Sequence, residues 1–277
     1  MREAVDALDV RAGGLYLDAT FGAGGHSREI VARGGTVVAF DVDPSAVVPA
    51  DLADRVALVR ANFAELAAEL DARGAGPLDG ALFDVGVSSM QFDDAGRGFS
   101  IQADGPVDMR MNPASGPSAY DLLRDWDERT LADAIYRYGE ERASRRIARA
   151  IVAARERGEL PERTASLAAL VARAAGVRGR WRIHPATKTF QALRIAVNDE
   201  LESLRRGLDA ATERTRPGGR IAVVSFHSLE DRIVKQMFRD DPRLRVLTKK
   251  PVLPGEAEVA RNARARSAKL RVAERSA

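Results

Sequence analysis

A glycine-rich turn between two patterned segments is the first stretch of this sequence whose residue types suggest chemistry. In residues 17–31, "LDATFGAGGHSREIV", an apolar segment ends at Asp18, and Gly22, Gly24 and Gly25 follow before a helix-like pattern begins. Glycines let the backbone approach a bound ligand that a side chain would exclude. The stretch therefore predicts a ligand-binding turn between a strand and a helix.

The spacing of these glycines distinguishes two kinds of nucleotide-binding turn. A dinucleotide fingerprint requires glycine or alanine where this chain has Ser27, so that match fails. The next apolar segment, "VVAFDVD", ends at Asp41 and Asp43, and a carboxylate there can accept hydrogen bonds from both hydroxyls of a ribose. We expect a nucleoside cofactor without a pyrophosphate, although Asp18 and Asp41 could also serve only as caps of turns.

The elements that position these residues are predicted from hydrophobic patterning. Strands are expected at residues 15–21, 37–42, 57–61 and 80–85, and helices at residues 27–33, 44–50 and 63–73. Repeated strand–helix units predict a parallel sheet covered by helices on both faces. Ligands bind at the carboxyl ends of such strands, where the glycine turn and Asp41 are expected to lie.

A second strand–helix passage follows late in the chain. Apolar residues at helical spacing predict one long helix over residues 188–214, ended by the Pro-Gly-Gly of residues 217–219. A strand at 220–226, a helix at 229–238, and strands at 244–248 and 268–273 follow, with no clear helix between the last two. A closing antiparallel hairpin is typical of the class I methyltransferase fold, so we predict an α/β, Rossmann-like, doubly wound sheet of that class.

An insertion is expected within the sheet domain. Residues 103–182 are helical wherever they are patterned, notably at 134–158 and 166–176. We therefore predict a sheet domain made of residues 1–102 and 183–277 and a small inserted helical domain at 103–182.

Composition narrows the classes of function. The chain has no cysteine and three scattered histidines, which excludes disulfides and thiolate chemistry, and no local metal motif is visible. A metal site assembled by the fold stays open. No long apolar segment or secretory leader is visible, so no membrane association and a cytoplasmic location are expected. The sequence does not reveal whether the chain forms a homodimer.

Positive charge is concentrated in two segments. Residues 141–182 contain eleven arginines and four glutamates, and residues 243–277 contain ten basic and three acidic residues, whereas the whole chain carries only +3. Basic segments on an otherwise acidic body favour a nucleic-acid partner. The alternative is a solvated helix face together with a basic tail.

Several polar strings follow the later strands and carry a resemblance to a known family. They are "GVSS", "GRGFS", "DMRM", "YGEER", "HPATKTFQALRI", "SFHSLEDR" and "ARSAKLRVAER". Together they closely resemble the bacterial ribosomal RNA small subunit methyltransferase H family, also called MraW, over essentially the whole chain. The resemblance implies methylation of the exocyclic N4 of a cytidine in 16S rRNA of the small ribosomal subunit, with S-adenosylmethionine (SAM) as cofactor.

The resemblance also implies cofactor contacts, which fall on the following residues of this chain: Gly24, Gly25, His26, Asp41, Phe63, Asp84 and Gln91. Phe63 would offer a flat partner to adenine, or it could be a core residue of the helix that it begins. Gln91 could instead be an exposed loop residue. Two departures from the family pattern stand out, because the usual histidine-bearing segment before Ala4 is absent and Met90 replaces a common proline.

The catalytic candidates are Asp84, Ser88 and His227. The cytosine amine is a poor nucleophile because its lone pair is delocalised, so we expect Asp84, or a backbone carbonyl in residues 84–88, to accept its hydrogen bond. His227 and Ser225 would shape the base pocket, although a packing role for His227 and a capping role for Ser228 are equally open.

The expected substrate base lies in structured RNA and must be turned out of its stack. The string "RGRWRIHPATK", residues 178–188, begins at the end of the inserted domain. It combines basic residues with Trp181 and would suit phosphate contact and base stacking, although Trp181 could also anchor the insertion. We expect charge reversal of Arg180 and Arg182 to weaken RNA binding. Two rival classes are a nicotinamide-dependent oxidoreductase, which Ser27 and the closing hairpin disfavour, and a non-catalytic RNA-binding factor.

Overall fold

A computed structural model describes residues 2–176 and 183–277 and contains one seven-stranded sheet. The strands are β1 Leu15–Asp18, β2 Thr36–Phe40, β3 Val56–Val59, β4 Leu78–Asp84, β5 Thr215–Ser225, β6 Leu244–Val246 and β7 Lys269–Arg275. Their order across the sheet is β3-β2-β1-β4-β5-β7-β6. β7 is antiparallel to both of its neighbours, whereas the pairs formed by β1 to β5 are parallel.

This order and the antiparallel β7 confirm the predicted class I methyltransferase fold. The last two strands form a hairpin in which β7 lies between β5 and β6. The sheet is therefore parallel from β3 to β5 and antiparallel at β7. The strands place the last residues of β1, β2 and β4 at one edge, because the carboxyl ends of parallel neighbours coincide.

Helices surround the sheet and also form a separate compact unit. They are α1 Arg2–Leu8, α2 Gly25–Ala32, α3 Leu66–Ala72, α4 Ser89–Asp93, α5 Ala119–Asp125, α6 Glu128–Gly139, α7 Ser144–Glu156, α8 Thr164–Ala175, α9 Thr187–Asn198, α10 Glu200–Arg214, α11 Ser228–Asp240 and α12 Glu256–Arg261. Short 3₁₀ turns lie at Ala50–Leu52, Phe63–Glu65, Ala95–Arg97 and Ala263–Ser267.

The chain divides into two compact units, Met1–Gly86 with Leu201–Ala277, and Val87–Glu200. The first contains the sheet, and alternate residues along each strand enter two different cores. Leu17 and Phe83 join one core with α3, α10 and α11, whereas Tyr16 and Leu82 join the other with α1 and α2. Both faces of the sheet are therefore covered, as the strand–helix alternation predicts.

The second unit is helical and has its own core, which includes Phe99, Leu131, Ile151, Leu167 and Leu193. Sequence patterning placed the boundaries of the insertion at residues 103 and 182, whereas the structural unit begins at Val87 and ends at Glu200. The difference has a packing cause, because Phe99 and the apolar side of α9 are buried in this core.

Four local predictions are wrong. The single helix expected at 188–214 is broken between α9 and α10, since Asp199 adopts a left-handed φ of 47° and the Asn198 side chain bonds Met109 and Met111 instead of continuing the helix. The helix expected at 44–50 is absent from the described residues there, where Asp43 accepts hydrogen bonds from the N–H and hydroxyl of Ser45 in a turn.

The other two errors concern the later strands. β5 begins at Thr215 rather than Arg220, and the intervening residues bulge because Leu78 pairs with Thr215 while Gly80 pairs with Arg220. α12 and the Ala263–Ser267 turn occupy the connection between β6 and β7, which was expected to lack a helix. No helix among the described residues is long and apolar enough to cross a bilayer.

Candidate active site at the carboxyl ends of the strands

The glycine turn connects β1 to α2 and needs glycine at two positions. Gly22 has φ 54° and Gly24 has φ 76°, a left-handed region that other residues rarely adopt. A Cβ on Gly24 would lie 2.8 Å from the Phe21 ring. Gly24 is also the N-cap of α2 and offers no side-chain cap, so a ligand can approach the first turn of the helix closely.

Asp18 anchors this turn from within the protein. The side chain is fully buried, and its two carboxylate oxygens accept hydrogen bonds from the Ser27 hydroxyl at 2.7 Å and from the Thr20 N–H at 3.2 Å. Burial raises the pKa of Asp18 to about 7, with contributions from the charges of Asp84 and Asp41. Asp18 therefore caps the turn, one of the two roles left open for it, and holds the glycines in place.

Asp41 joins the end of β2 to the same turn. Its Oδ2 accepts the N–H of Gly22 at 2.7 Å, and its Oδ1 accepts the N–H of Asp43 at 2.8 Å. Burial raises the pKa of Asp41, and these two hydrogen bonds oppose the rise. A carboxylate has about four acceptor positions, so the two bonds leave capacity for the hydroxyls of a ribose.

Asp84 ends β4 beside the glycine turn. Its N–H donates to the Thr20 hydroxyl at 2.8 Å, which ties the two strand ends together. The side chain is one-third exposed (33%), yet its Oδ1 is buried and has no hydrogen-bond partner among the described residues. An orphaned buried carboxylate oxygen is costly. Its presence at this edge indicates a place for a ligand donor.

Burial is the main cause of the electrostatics of both Asp84 and His26. Burial raises the pKa of Asp84 to about 6, and the negative charge of Glu230 contributes to the rise. His26 lies in the first turn of α2, with its Nδ1 3.9 Å from Asp84 Oδ2, too far for a hydrogen bond. Burial lowers the pKa of His26 to about 4, so near neutral pH a neutral imidazole faces a carboxylate that is mostly ionised.

His227 is the N-cap of α11 and is enclosed by Glu230. The N–H of Glu230 donates to His227 Nδ1 at 3.4 Å, and His227 Nε2 lies 2.9 Å from Glu230 Oε1. Glu230 Oε2 in turn accepts the N–H groups of Phe226 and His227. Both ring nitrogens of His227 thus face a buried glutamate, and Ser228 is the first residue of the helix rather than its cap.

Ser225, the other candidate for the base pocket, is buried in the sheet. It is 1% exposed, and its hydroxyl donates to the backbone carbonyl of Lys269 at 3.4 Å. The described contacts of Ser225 are therefore those of a structural residue at the β5–β7 pairing.

Phe63 begins a 3₁₀ turn that precedes α3. Its ring is half-buried and meets Phe83 edge to face, with centroids 5.5 Å apart and planes at 85°. A Cβ on Gly207 would lie 2.5 Å from the Phe63 ring, so α10 needs a glycine there. Phe63 packs against the core of the first unit and is only partly buried, so its packing role is observed and a contact to adenine stays a prediction.

Ser88 and Gln91 lie in the second unit, where they form a reciprocal capping box on α4. The Gln91 N–H donates to Ser88 Oγ at 3.2 Å, and the Ser88 N–H donates to Gln91 Oε1 at 3.0 Å. Gln91 is only 7% exposed, so the alternative that it is an exposed loop residue is wrong. Trp181, Arg180 and Arg182 lie outside the described residues.

Two residues important to this geometry were missed at the sequence level. Thr20 carries the hydroxyl that receives the Asp84 N–H, and no local pattern signals a contact between residues so far apart in the chain. Glu230 carries the buried carboxylate under His227. The spacing of His227 and Glu230 is that of a capping box and could have revealed the pair.

The residues of the first unit fit S-adenosylmethionine. The turn at Gly24 and Gly25 offers close backbone approach, Asp41 retains acceptor capacity for a ribose, and Phe63 presents an aromatic ring. The unpartnered Oδ1 of Asp84 lies at the same end of the sheet as these residues.

Comparisons with known proteins show the family of this chain. The model of the MraW methylase family matches residues 1–276. Ribosomal RNA small subunit methyltransferase H of Methylocella silvestris is 52% identical, with 97% of this chain and 84% of that protein covered. The same-named protein of Thermomicrobium roseum is 50% identical, with coverages of 99% and 91%.

Among solved structures, an rRNA methylase from Streptococcus thermophilus aligns with a TM-score of 0.47 and 11% identity, covering 99% of this chain and 95% of that one. The family match over nearly the whole sequence and the identity of about half of all positions to the curated relatives confirm the resemblance found in the polar strings. This chain belongs to the MraW methylase family.

Proposed function

We propose that this protein transfers the methyl group of S-adenosylmethionine to the exocyclic N4 of a specific cytidine in 16S rRNA of the small ribosomal subunit. The names of its curated relatives support a ribosomal RNA substrate. One observation supports the cytosine amine as the methyl acceptor. It is the buried, unpartnered Oδ1 of Asp84 at the carboxyl ends of the strands.

Asp84 has two proposed roles, a contact to the cofactor and an action on the amine, and the second is the catalytic one. The N4 lone pair is delocalised into the ring, so the nitrogen must become more amine-like as the new bond forms. A carboxylate that accepts an N4–H bond favours this change, because the developing positive charge on nitrogen strengthens that bond in the transition state. SAM, when bound, supplies an electrophilic methyl on sulfonium.

The proton balance requires no strong base. The N–C bond forms as the S–C bond breaks, and the methylated nitrogen then sheds one proton. Asp84, with its pKa at about 6, is ionised near neutral pH and can take that proton and release it to water through its exposed third. His26 is neutral near pH 7, so its ring adds no second positive charge beside the sulfonium.

The cofactor would be held by Gly24, Gly25, His26, Asp41, Phe63, Asp84 and Gln91. Of these, Asp41 is assigned to the ribose and Phe63 to adenine, and the glycine turn is assigned to the methionyl end. Ser88 and His227 remain proposed catalytic candidates. The enclosed geometry of His227 favours an orienting role for its backbone at the start of α11 over proton transfer by its ring.

The helical unit is proposed to bind the RNA substrate. Arg142, Arg145 and Arg149 are exposed on one side of α7 and the turn before it, opposite the buried Ile147 and Ile151. Such a stripe suits contact with phosphates. The target nucleotide would leave its stack to reach Asp84, and a cytoplasmic location is proposed because the ribosomal substrate is found there.

The decisive experiment incubates the protein with labelled SAM and small ribosomal subunits from cells that lack this modification. Digestion to nucleosides and mass spectrometry should then show labelled N4-methylcytidine. A label on another nucleoside would refute the assigned base. RNA binding without any label would support the non-catalytic binding factor instead.

A further inference from the structure

The connection between β6 and β7, residues 247–268, is a basic surface that the proposed catalytic chemistry does not use. It contains five basic and two acidic residues. The sheet topology decides where this connection lies. β7 is antiparallel to β5 and begins with Lys269 opposite Ser225, while Val224 lies opposite Asp84. Residues 247–268, here called the β6–β7 excursion, therefore leave from the sheet edge at which β4 ends.

The first part of the excursion is held on β7 by backbone pairing. The Leu247 N–H donates to the Val272 carbonyl at 2.9 Å. Val252 and Leu270 then exchange two hydrogen bonds of 2.9 Å each. Lys249 and Lys250 are exposed and lie between these two paired positions, so both ends of the segment that carries them are held on β7.

The second part presents arginines from a short structured segment. In the Ala263–Ser267 turn, Ala265 is buried at 6% exposure, while Arg266 beside it is exposed. Arg261 at the end of α12 is also exposed and donates to the Ala257 carbonyl at 3.2 Å. A buried anchor next to exposed cations reduces the entropy lost when those cations bind a ligand.

The exposed cations have little competition for an external anion. Among the residues that the structure describes, Lys249, Lys250, Arg261 and Arg266 have no carboxylate within ion-pair distance. Beside them, Val252 and Leu253 are 45% and 63% exposed. Unneutralised cations beside apolar side chains match an RNA strand, which offers phosphates together with sugar and base surfaces.

We propose that the β6–β7 excursion binds the phosphates of the RNA strand that flanks the target nucleotide. The inference rests on the proposed function, because an RNA substrate must approach the edge at which Asp84 lies. Its phosphates would then pass the excursion on the same side of the sheet. The excursion increases the affinity for RNA and fixes the position of the strand on the protein. Cofactor binding and methyl transfer depend on the glycine turn and Asp84 instead.

The test is the double variant Lys249→Glu/Lys250→Glu, with Arg11→Glu/Arg55→Glu as control. The control makes the same change of charge at exposed arginines that precede β1 and β3, at the opposite edge of the sheet. Affinity for deproteinised 16S rRNA is measured over a salt series, SAM affinity by calorimetry, and methylation of small subunits as KM and kcat.

We expect the excursion variant to reduce the slope of log affinity against log salt by about 1 for each lysine. KM for subunits should rise about tenfold or more while kcat and SAM affinity stay unchanged, and the control should behave as wild type. Equal slopes in both variants would overturn the proposal. A raised KM for subunits with normal binding of deproteinised rRNA would also overturn it and would indicate a ribosomal protein as the occupant. If wild type neither binds nor methylates rRNA, the proposed function itself fails.

Discussion

Replacing Asp84 by asparagine changes the proposed acceptor with almost no change of shape. The asparagine amide can still accept from an amine through its oxygen, but the bond is no longer assisted by charge. The Asp84 N–H would keep its bond to the Thr20 hydroxyl, because that contact uses the backbone. The substitution therefore isolates the charge on the buried Oδ1.

The expected loss follows from the state of that oxygen. Oδ1 has no hydrogen-bond partner among the described residues, so no described donor of the protein competes with the substrate for it. A hydrogen bond to a charged group contributes about 1.5–3 kcal/mol and a neutral one about 0.5–1.5 kcal/mol, so the substitution removes about 1–1.5 kcal/mol. Each 1.36 kcal/mol corresponds to about a tenfold change in rate, and we therefore expect kcat to fall about 5- to 10-fold at pH 8, with SAM affinity changed far less.

The pH profile gives a second, independent signature. Because the pKa of Asp84 is about 6, wild-type kcat should be near its maximum above pH 7 and fall about tenfold per pH unit below 6. An asparagine side chain cannot titrate, so the Asp84→Asn variant should lack this limb. The same substitution that lowers kcat should raise the free energy of unfolding. Burial disfavours the charged carboxylate above pH 6, and asparagine carries no charge. The variant should gain up to about 2 kcal/mol there, after allowance for the exposed third of the side chain.

The assay is single-turnover methylation of small subunits from pH 5 to 9, with urea unfolding at the same pH values. Asp79→Asn is the matched control. Asp79 lies near the other end of β4 and accepts the Leu15 N–H at 2.8 Å, so its substitution should affect stability and leave kcat unchanged. If Asp84→Asn keeps full turnover at saturating SAM, or retains the acid limb of the profile, the reasoning about Oδ1 is wrong.

Three further substitutions test the surroundings of the site. Burial raises the pKa of Asp18 from 3.8 to about 7, so its contribution to stability is greatest below about pH 4 and falls by about 4 kcal/mol as the pH rises to about 7. Asp18→Asn should accordingly raise the free energy of unfolding at pH 8 and not at pH 4, and an equal change at both values would contradict the titration. Gly24→Ala should weaken SAM binding in calorimetry at least about tenfold, because the left-handed φ and the Phe21 ring both oppose a Cβ; unchanged affinity would remove the turn from the cofactor site. Ser88→Ala should cost about 1 kcal/mol of unfolding free energy through loss of the α4 cap, and a single-turnover rate equal to that of wild type would remove Ser88 from the catalytic candidates.

Local patterns were sufficient for the elements whose chemistry is local. Alternation of apolar segments and helical spacing predicted the sheet and its closing hairpin, and the glycines between Asp18 and Ser27 predicted the turn. Where a neighbour distant in sequence decided the outcome, the predictions were wrong. Nothing in the spacing of residues 188–214 signals that Asn198 bonds Met109 and Met111 and thereby ends a helix.

The position of carboxylates at the strand ends was readable from the sequence, and their electrostatics were not. Asp41 and Asp84 end apolar segments, and parallel strands bring such ends to one edge. The orphaned Oδ1 of Asp84 and its raised pKa depend on burial and on Glu230, which comes from an element near the other end of the chain. Burial is a property of packed neighbours, so it has no local pattern.

The sequence by itself determined the family, the strand–turn–helix unit with its glycines, and the presence of two basic segments. Each of these depends on residues that are close together in the chain. Only the tertiary structure decided which of those residues meet. The Thr20–Asp84 bond joins positions 64 residues apart. The antiparallel pairing of β7 brings the β6–β7 excursion to the edge where β4 ends. Both depend on hydrogen bonds between strands, and the free energy of such bonds is gained only when the whole sheet assembles.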